Sequence, residues 1–203
     1  KWNIKVIEDA SECLGSKYKN KHLGTFGDLG VLSFNGNKII TTGGGGAIIC
    51  KKENDGKELK HLTTTCKKNH KYKFIHDQIG FNYRLPNINS ALGLAQMESI
   101  HERVTKKRAL SKIYKDFFQD TNCLFMDEPD NSFSNFWLNS ILCEDIKHRD
   151  FLLNCGYKNK VSLRPSWECM HTLPMFENCI KSDLNNTIFL QDRIVNLPST
   201  PII

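Results

Sequence analysis

Four consecutive glycines, Gly43 to Gly46, are the feature that most restricts what this chain can become. They lie in "SFNGNKIITTGGGGAIIC", residues 33–50. On either side are two short apolar runs, Gly30–Phe34 and Ala47–Lys51, whose length and composition predict strands. A helix would not persist through four glycines. Backbone this free belongs where a chain turns tightly or passes close to a bulky group. Between the first strand and the glycines stands one lysine, Lys38, whereas other lysines sit in charged runs such as Lys67-Lys68 and Lys106-Lys107-Arg108.

The rest of the chain alternates strand and helix patterns. Ile4–Glu8 predicts a strand and Ser11–Gly15 a helical turn or loop. Asp55–Thr64 has helical spacing through Leu59 and Leu62. After Pro86, the recurrence of Leu92, Ala95, Gln96, Ser99, Val104 and Ala109 predicts one long helix from Asn87 to about Phe118. "EPDNS", residues 128–132, is a turn cluster. Beyond it, Phe136–Cys143 and Val161–Arg164 predict strands and Ile146–Cys155 a helix. A helix over Leu184–Asp192 and a strand over Ile194–Leu197 close the pattern. The expected fold class is α/β, with residues 1–118 as one domain and 119–203 as a smaller α+β domain. An apolar parallel strand so near the start would be covered on both faces, so the chain is expected to be the C-terminal part of a longer protein.

Composition excludes several classes. Among 203 residues, 39% are hydrophobic and 25% charged, as in an ordinary globular protein. No apolar run reaches the roughly 20 residues that span a bilayer, so no membrane partner is expected. The net charge of +6 is spread along the chain without a basic stripe interleaved with aromatics, which argues against nucleic acid and for a solvated surface or an anionic small molecule. The eight cysteines form no C-x-x-C pair. Cys13, Cys50, Cys123, Cys143 and Cys155 lie in or beside apolar segments, as small buried hydrophobes do. A reducing cytoplasm is the expected compartment. Cys66, His70 and His76 lack a second pair of ligands, and no metal site is expected.

The lysine loop has the parts that pyridoxal phosphate asks of a protein: a lysine for its aldehyde, an acid for its ring nitrogen and donors for its phosphate. Asp9 ends the first strand, from which a carboxylate reaches a ligand lying over strand ends. Ser33 offers a hydroxyl shortly before Lys38. Each part also has a plainer reading. An acid at a strand end caps a turn, a strand serine is often only a serine, and four glycines can be a flexible hairpin that forms no known phosphate motif.

The run "VIEDASECLGSKYKNKHLGTFGDLGVLSFNGNKIITTGGGGAIIC" resembles the core of the DegT/DnrJ/StrS sugar aminotransferases, with their E-D-A-A acid motif, G-x-x-G-x-x-S-F, lysine and T-T-G-x-G-G. "HDQIGFNYRLPNINSALGLAQMESI", "LRPSWECMHTLPMF" and "RIVNLPSTP" extend the likeness over nearly the whole chain. It implies part of the large domain of a fold-type I aminotransferase plus a small C-terminal domain, with pyridoxal 5'-phosphate as cofactor. By that resemblance Lys38 is the catalytic lysine and proton shuttle, Asp9 the pyridinium partner, Glu12 a residue against the ring and Ser33 a phosphate ligand. Asn82 matches an asparagine that reaches the phosphate of the neighbouring subunit, which implies a homodimer with shared sites. Arg84 is expected to meet a substrate carboxylate or phosphate. Trp167 and His171 are expected near the sugar nucleotide, although Trp167 also suits a packing role. Ser11 departs from the usual alanine of E-D-A-A, and the family's N-terminal phosphate loop and ring-stacking aromatic are not among these residues.

The motifs look most like members that aminate UDP-linked 4-keto-6-deoxy-N-acetylhexosamines with L-glutamate, on routes to legionaminic acid, bacillosamine and related bacterial surface sugars. GDP- or dTDP-linked ketosugars, and a catalytically incomplete structural or regulatory fragment, are the alternatives. Lys38 argues against the related dehydratases, which carry histidine there.

Overall fold

The computed structural model describes residues 2–201. In chain order the strands and helices begin with β1 (Ile7–Asp9), β2 (Lys17–Tyr18), β3 (Lys21–His22), β4 (Leu29–Ser33), β5 (Gly46–Cys50) and α1 (Glu53–Leu62). There follow β6 (Lys67–Lys68), β7 (Ile75–His76), α2 (Asn87–Glu98), α3 (Ile100–Phe118), β8 (Leu124–Phe125) and β9 (Ser132–Phe133). The chain ends with β10 (Asn139–Leu142), α4 (Ile146–Lys158), β11 (Arg164–Pro165), α5 (Asn185–Gln191) and β12 (Ile194–Leu197). The architecture is mixed α/β. Two compact units emerge: Lys1–Val104 with Asp130–Asn135, and Thr105–Pro129 with Phe136–Ile203. The division falls inside α3, because Tyr114 and Phe118 pack against the core of the second unit.

In the first unit, β1 runs parallel to β4, and β4 pairs antiparallel with β5 from Leu29↔Cys50 to Ser33↔Gly46. The first strand is shorter than Ile4–Glu8 and starts at Ile7, whose side chain is 65% exposed. What fixes β1 is a carboxylate. The backbone N–H groups of Gly24 and Gly27 donate to Glu8 at 2.8 and 2.5 Å. Desolvation raises the Glu8 pKa, but hydrogen bonds from Gly27, Gly24 and Phe26 outweigh it and hold the carboxyl below its usual range. The folded loop then crosses β4 so closely that a Cβ on Gly30 would lie 2.0 Å from the Gly24 carbonyl oxygen.

The long helix expected from Asn87 to Phe118 is two helices. At Ser99 the backbone leaves helical geometry (φ −102°, ψ 9°), and the hydroxyl donates to the Gln96 carbonyl at 3.1 Å. Arg103 Nε in turn donates to the Ser99 hydroxyl at 2.9 Å. A serine that satisfies backbone locally competes with the helix ladder, and apolar spacing does not register this.

The second unit is a four-stranded antiparallel sheet in the order β11-β12-β10-β8. Its core holds Phe125, Phe136, Ile141, Val195, Leu197, Cys123 and Cys143, with Leu152 and Leu153 of α4 packed against it. Asp145 caps α4 by accepting from the His148 N–H at 2.8 Å. Arg108 makes a bidentate pair with Glu128, both bonds 2.8 Å. Lys107 Nζ donates to the Ser199 carbonyl at 2.5 Å.

Two outcomes are expected from these contacts. Gly30→Ala should destabilise the protein by about 2 kcal/mol or more, because backbone cannot yield to the new methyl. Gly36→Ala, which meets nothing within 4 Å, should change stability by less than about 0.5 kcal/mol. Urea unfolding of both variants checks this. Burial pushes the Lys107 ammonium down to about 8. Between pH 8 and the ordinary lysine value near 10.5 the unfolded chain therefore binds more protons than the folded one, and this residue's contribution to stability rises with pH. The unfolding free energy of wild type minus that of Lys107→Met should climb across that window and flatten below pH 7.

Candidate functional site

Asp9, Glu12, Ser33 and Lys38 all belong to the first unit and are positioned by β1 and β4. The parallel register Asp9↔Val31 puts Asp9 and Ser33 at the C-terminal ends of adjacent strands. There the Ser11 hydroxyl and N–H donate to Asp9 Oδ1 at 2.5 and 3.2 Å. These two bonds, with the charge of Lys38 as a smaller contribution, hold the Asp9 carboxyl below its usual range against desolvation. The serine that departs from the family's alanine thus has a local function: it lowers the Asp9 pKa and fixes the carboxylate in place. Ser33 Oγ accepts from the Asn35 N–H at 3.3 Å.

Lys38 stands in a loop closed at its base. Phe34 N–H donates to the Gly45 carbonyl at 2.9 Å, while the Phe34 carbonyl accepts from Thr42 N–H and the Thr41 hydroxyl, both at 3.0 Å. Its neighbours Ile39 and Ile40 are buried. Lys38 Nζ makes an ion pair with Glu12 Oε1, and only 12% of the lysine side chain is exposed. Glu12 is braced in turn. The buried Asn135 donates through Nδ2 to the carbonyls of Glu12 and Leu14 at 2.6 and 2.9 Å. Gly43 and Gly45 take φ of +78° and +122°, the left-handed region that favours glycine. Gly44 faces open space.

A group of residues to which the sequence assigned no part in the site holds this loop. Asn89, Gly93 and Gln96 fall on one face of α2. Gln96 binds the Thr41 backbone twice, accepting from its N–H at 3.1 Å and donating to its carbonyl at 2.9 Å. Asn89 Nδ2 donates to the Thr42 carbonyl at 2.5 Å. A Cβ on Gly93 would come within 2.7 Å of the Thr42 methyl. Two amides flanking a glycine at helical spacing, on a helix otherwise carrying Ile88, Leu92 and Leu94, were the available signal.

Asn82 and Arg84 lie on the segment before α2. With Thr64, Thr65, Lys67, Lys68, Asn69 and His70 they line a polar cleft of about 450 Å3, which none of Asp9, Glu12, Ser33 or Lys38 lines. Arg84 also lines a second cleft, of about 680 Å3, with Gly44, Gly45 and Gly46 of the lysine loop. Asn82 is held by a bridge to Thr64. The histidines expected near Cys66 are engaged differently: His76 bonds the Thr65 carbonyl at 2.7 Å, and His70 accepts from the Tyr72 and Lys73 N–H groups. Cys66 instead neighbours His61 and Asp77, which form a 2.7 Å pair. In the second unit, Trp167 stacks on Trp137 at 6.1 Å and stays 67% exposed. His171 sits half-buried in the turn Met170–Thr172.

The model of the DegT/DnrJ/EryC1/StrS aminotransferase family matches residues 1–203. The chain belongs to that family. It is 37% identical to GDP-perosamine synthase of Escherichia coli O157:H7 over 98% of this chain and 54% of that protein. It is 30% identical to UDP-4-amino-4,6-dideoxy-N-acetyl-beta-L-altrosamine transaminase of a Campylobacter jejuni strain, over 83% of this chain and 47% of that one. Helicobacter pylori PseC, an aminotransferase involved in the biosynthesis of pseudoaminic acid, shares the fold with a TM-score of 0.90 at 24% identity, over 96% of this chain and 54% of that chain. The chain spans about half the length of these relatives. Aminotransferases of the family use pyridoxal phosphate. Among the described residues no helix is long and apolar enough to cross a membrane.

Removing the Gln96 amide should leave the Thr41 N–H and carbonyl unpaired at a half-buried position. Gln96→Ala is expected to cost about 1–3 kcal/mol of stability and to speed amide exchange of Thr41 and Thr42, read by hydrogen-exchange mass spectrometry. Exchange in β12 should not change.

Proposed function

We propose that the protein carrying this chain is a pyridoxal phosphate-dependent transaminase that moves an amino group from L-glutamate to the 4-keto carbon of a nucleotide-linked 6-deoxy sugar. The observation that bears most of this reading is the pairing of a nearly buried Lys38 with Glu12, beside an Asp9 carboxylate fixed in place by Ser11. The donor set suits the cofactor: an amine for an aldehyde, a fixed negative charge for a ring nitrogen, a strand-end hydroxyl, and open space beside Gly44. Bound pyridoxal phosphate supplies the aldehyde that carries the amino group and the electron sink that makes the adjacent C–H acidic. Lys38 is the base that takes that proton and returns it on the other side of the transferred nitrogen. Glu12 orients the lysine amine. Asp9 keeps the ring nitrogen protonated.

Asn82 and Arg84, in their basic cleft with Lys67 and Lys68, are suited to phosphate oxygens. In our reading Asn82 serves the site of a second copy, which makes the working protein a homodimer, and Arg84 meets a substrate carboxylate or phosphate. Trp167 and His171 are assigned to the sugar nucleotide. The UDP-linked N-acetylhexosamine keeps support from the Campylobacter relative, and a GDP-linked ketosugar gains it from the higher identity to GDP-perosamine synthase. A dTDP-linked sugar has no such relative among those described above.

With pyridoxal phosphate, wild type should acquire a visible absorbance band that L-glutamate bleaches, and Lys38→Ala should acquire none. The aminated form, offered GDP-, UDP- and dTDP-linked 4-keto sugars in turn, should regain the band with its own acceptor. A folded dimer without a Lys38-dependent band would overturn the transaminase reading.

A further inference from the structure

Three metal-ligand atoms meet inside the second unit, among residues that amino transfer does not use. Cys123 and Cys143 occupy the next facing positions beyond Leu124↔Leu142 in the antiparallel pairing of β8 and β10. Because Met126 N–H bonds the Ser140 carbonyl, alternation along the ladder makes the cysteines a non-hydrogen-bonded pair, a class of position where facing Cα atoms approach to about 4.5 Å. His148 comes from the first turn of α4, and its backbone is fixed by the Asp145 cap. One nitrogen of its ring, Nε2, lies 3.9 Å from Cys123 Sγ, and the ligand atoms of all three residues lie within 4.8 Å of one another. Both cysteines are buried. The other ring nitrogen, Nδ1, is buried with no hydrogen-bond partner.

A tetrahedral zinc-class ion with Zn–S of about 2.3 Å and Zn–N of about 2.0 Å holds its ligand atoms roughly 3.5–3.8 Å apart. The Cys123–His148 pair at 3.9 Å has to close by about 0.4 Å or less, and the remaining pairs, within 4.8 Å, by at most about 1 Å. An unsatisfied buried imidazole nitrogen is costly, and a ring held here without a partner on Nδ1 presents Nε2 to the cysteines. The thiols are poorly suited to nucleophilic work, since desolvation raises both and pushes Cys143 up to about 12. They give up their protons to a metal rather than to solvent. Glu144 and Asp145 add negative charge at the pair, and Arg149 opposes it.

We propose that Cys123, Cys143 and His148 form a three-ligand site for a zinc-class divalent metal ion, which ties the ends of β8 and β10 to the start of α4 and leaves its fourth position to water. The ligands come from three separate elements, so no short cysteine motif announces them.

Cobalt(II) is the probe. Added to the reduced, chelator-stripped chain, it should give thiolate-to-metal charge-transfer absorption and the intense visible bands of four-coordinate cobalt, both displaced by zinc. Zinc should also raise the Tm. Cys123→Ser and His148→Gln should each weaken cobalt binding at least tenfold, and far-ultraviolet circular dichroism verifies that they fold. Cys66→Ser, which disrupts the His61–Cys66–Asp77 group, should leave the spectrum unchanged. Absence of a thiolate band in the folded wild type, its persistence in folded His148→Gln, its loss in Cys66→Ser, or a Cys123–Cys143 disulfide surviving the same reductant would each overturn the site.

Discussion

The side-chain amide of Gln96, bound twice to the backbone of Thr41, is the contact on which the lysine loop depends. A loop carrying four glycines has more conformational freedom to lose than any other segment here, and hydrogen bonds along its own base fix only its ends. Gln96 and Asn89 pin the two residues before the glycines to a helix. Gly93 lets that helix approach closely enough for the amides to reach. Lys38 is then presented from a fixed backbone, so its amine can be paired with Glu12 at a defined place instead of sampling solvent. The cost of ordering the loop is met outside the loop, and the glycines remain available to a bulky neighbour.

Strand β1 divides two tasks between adjacent acids. Successive side chains of a strand point to opposite sides, so Glu8 and Asp9 meet different surroundings. Glu8 gathers the N–H groups of Gly24 and Gly27 and builds the turn that delivers β4. Asp9 receives Ser11 and remains a charge near Lys38. Both carboxylates are stabilised as anions by donors, one in building the turn before β4 and the other near Lys38. That is a physical reason for two acids in succession at this point of the chain.

Much of this was legible in the sequence. Apolar runs located β4 and β5 to within a residue and β12 at its observed bounds, because strands of four or five residues are long enough to show as apolar runs between turn residues. Lys38, Asp9 and Ser33 were picked by residue type, and the structure places Asp9 where it feels the charge of Lys38, and Ser33 at the neighbouring strand end. The two-residue strands β2, β3, β6, β7, β8 and β9 were not legible, since a strand of that length has no period, and the strand expected over Val161–Arg164 meets the observed β11 only at Arg164. The break at Ser99 was hidden by apolar spacing that runs through it. The clamp from α2 was missed because amides that bind backbone leave no charge pattern. The assembly of Cys123, Cys143 and His148 depends on strand register, which spacing along the chain does not encode.

The account rests on one lysine among many being the one that meets the cofactor aldehyde. The direct measurement is borohydride reduction of the protein incubated with pyridoxal phosphate, followed by peptide mapping. The expected result is a phosphopyridoxyl group on the peptide containing Lys38 and on no other at stoichiometric cofactor. Label spread over the exposed lysines, or concentrated at Lys67 and Lys68, with Lys38 unmodified, would contradict it.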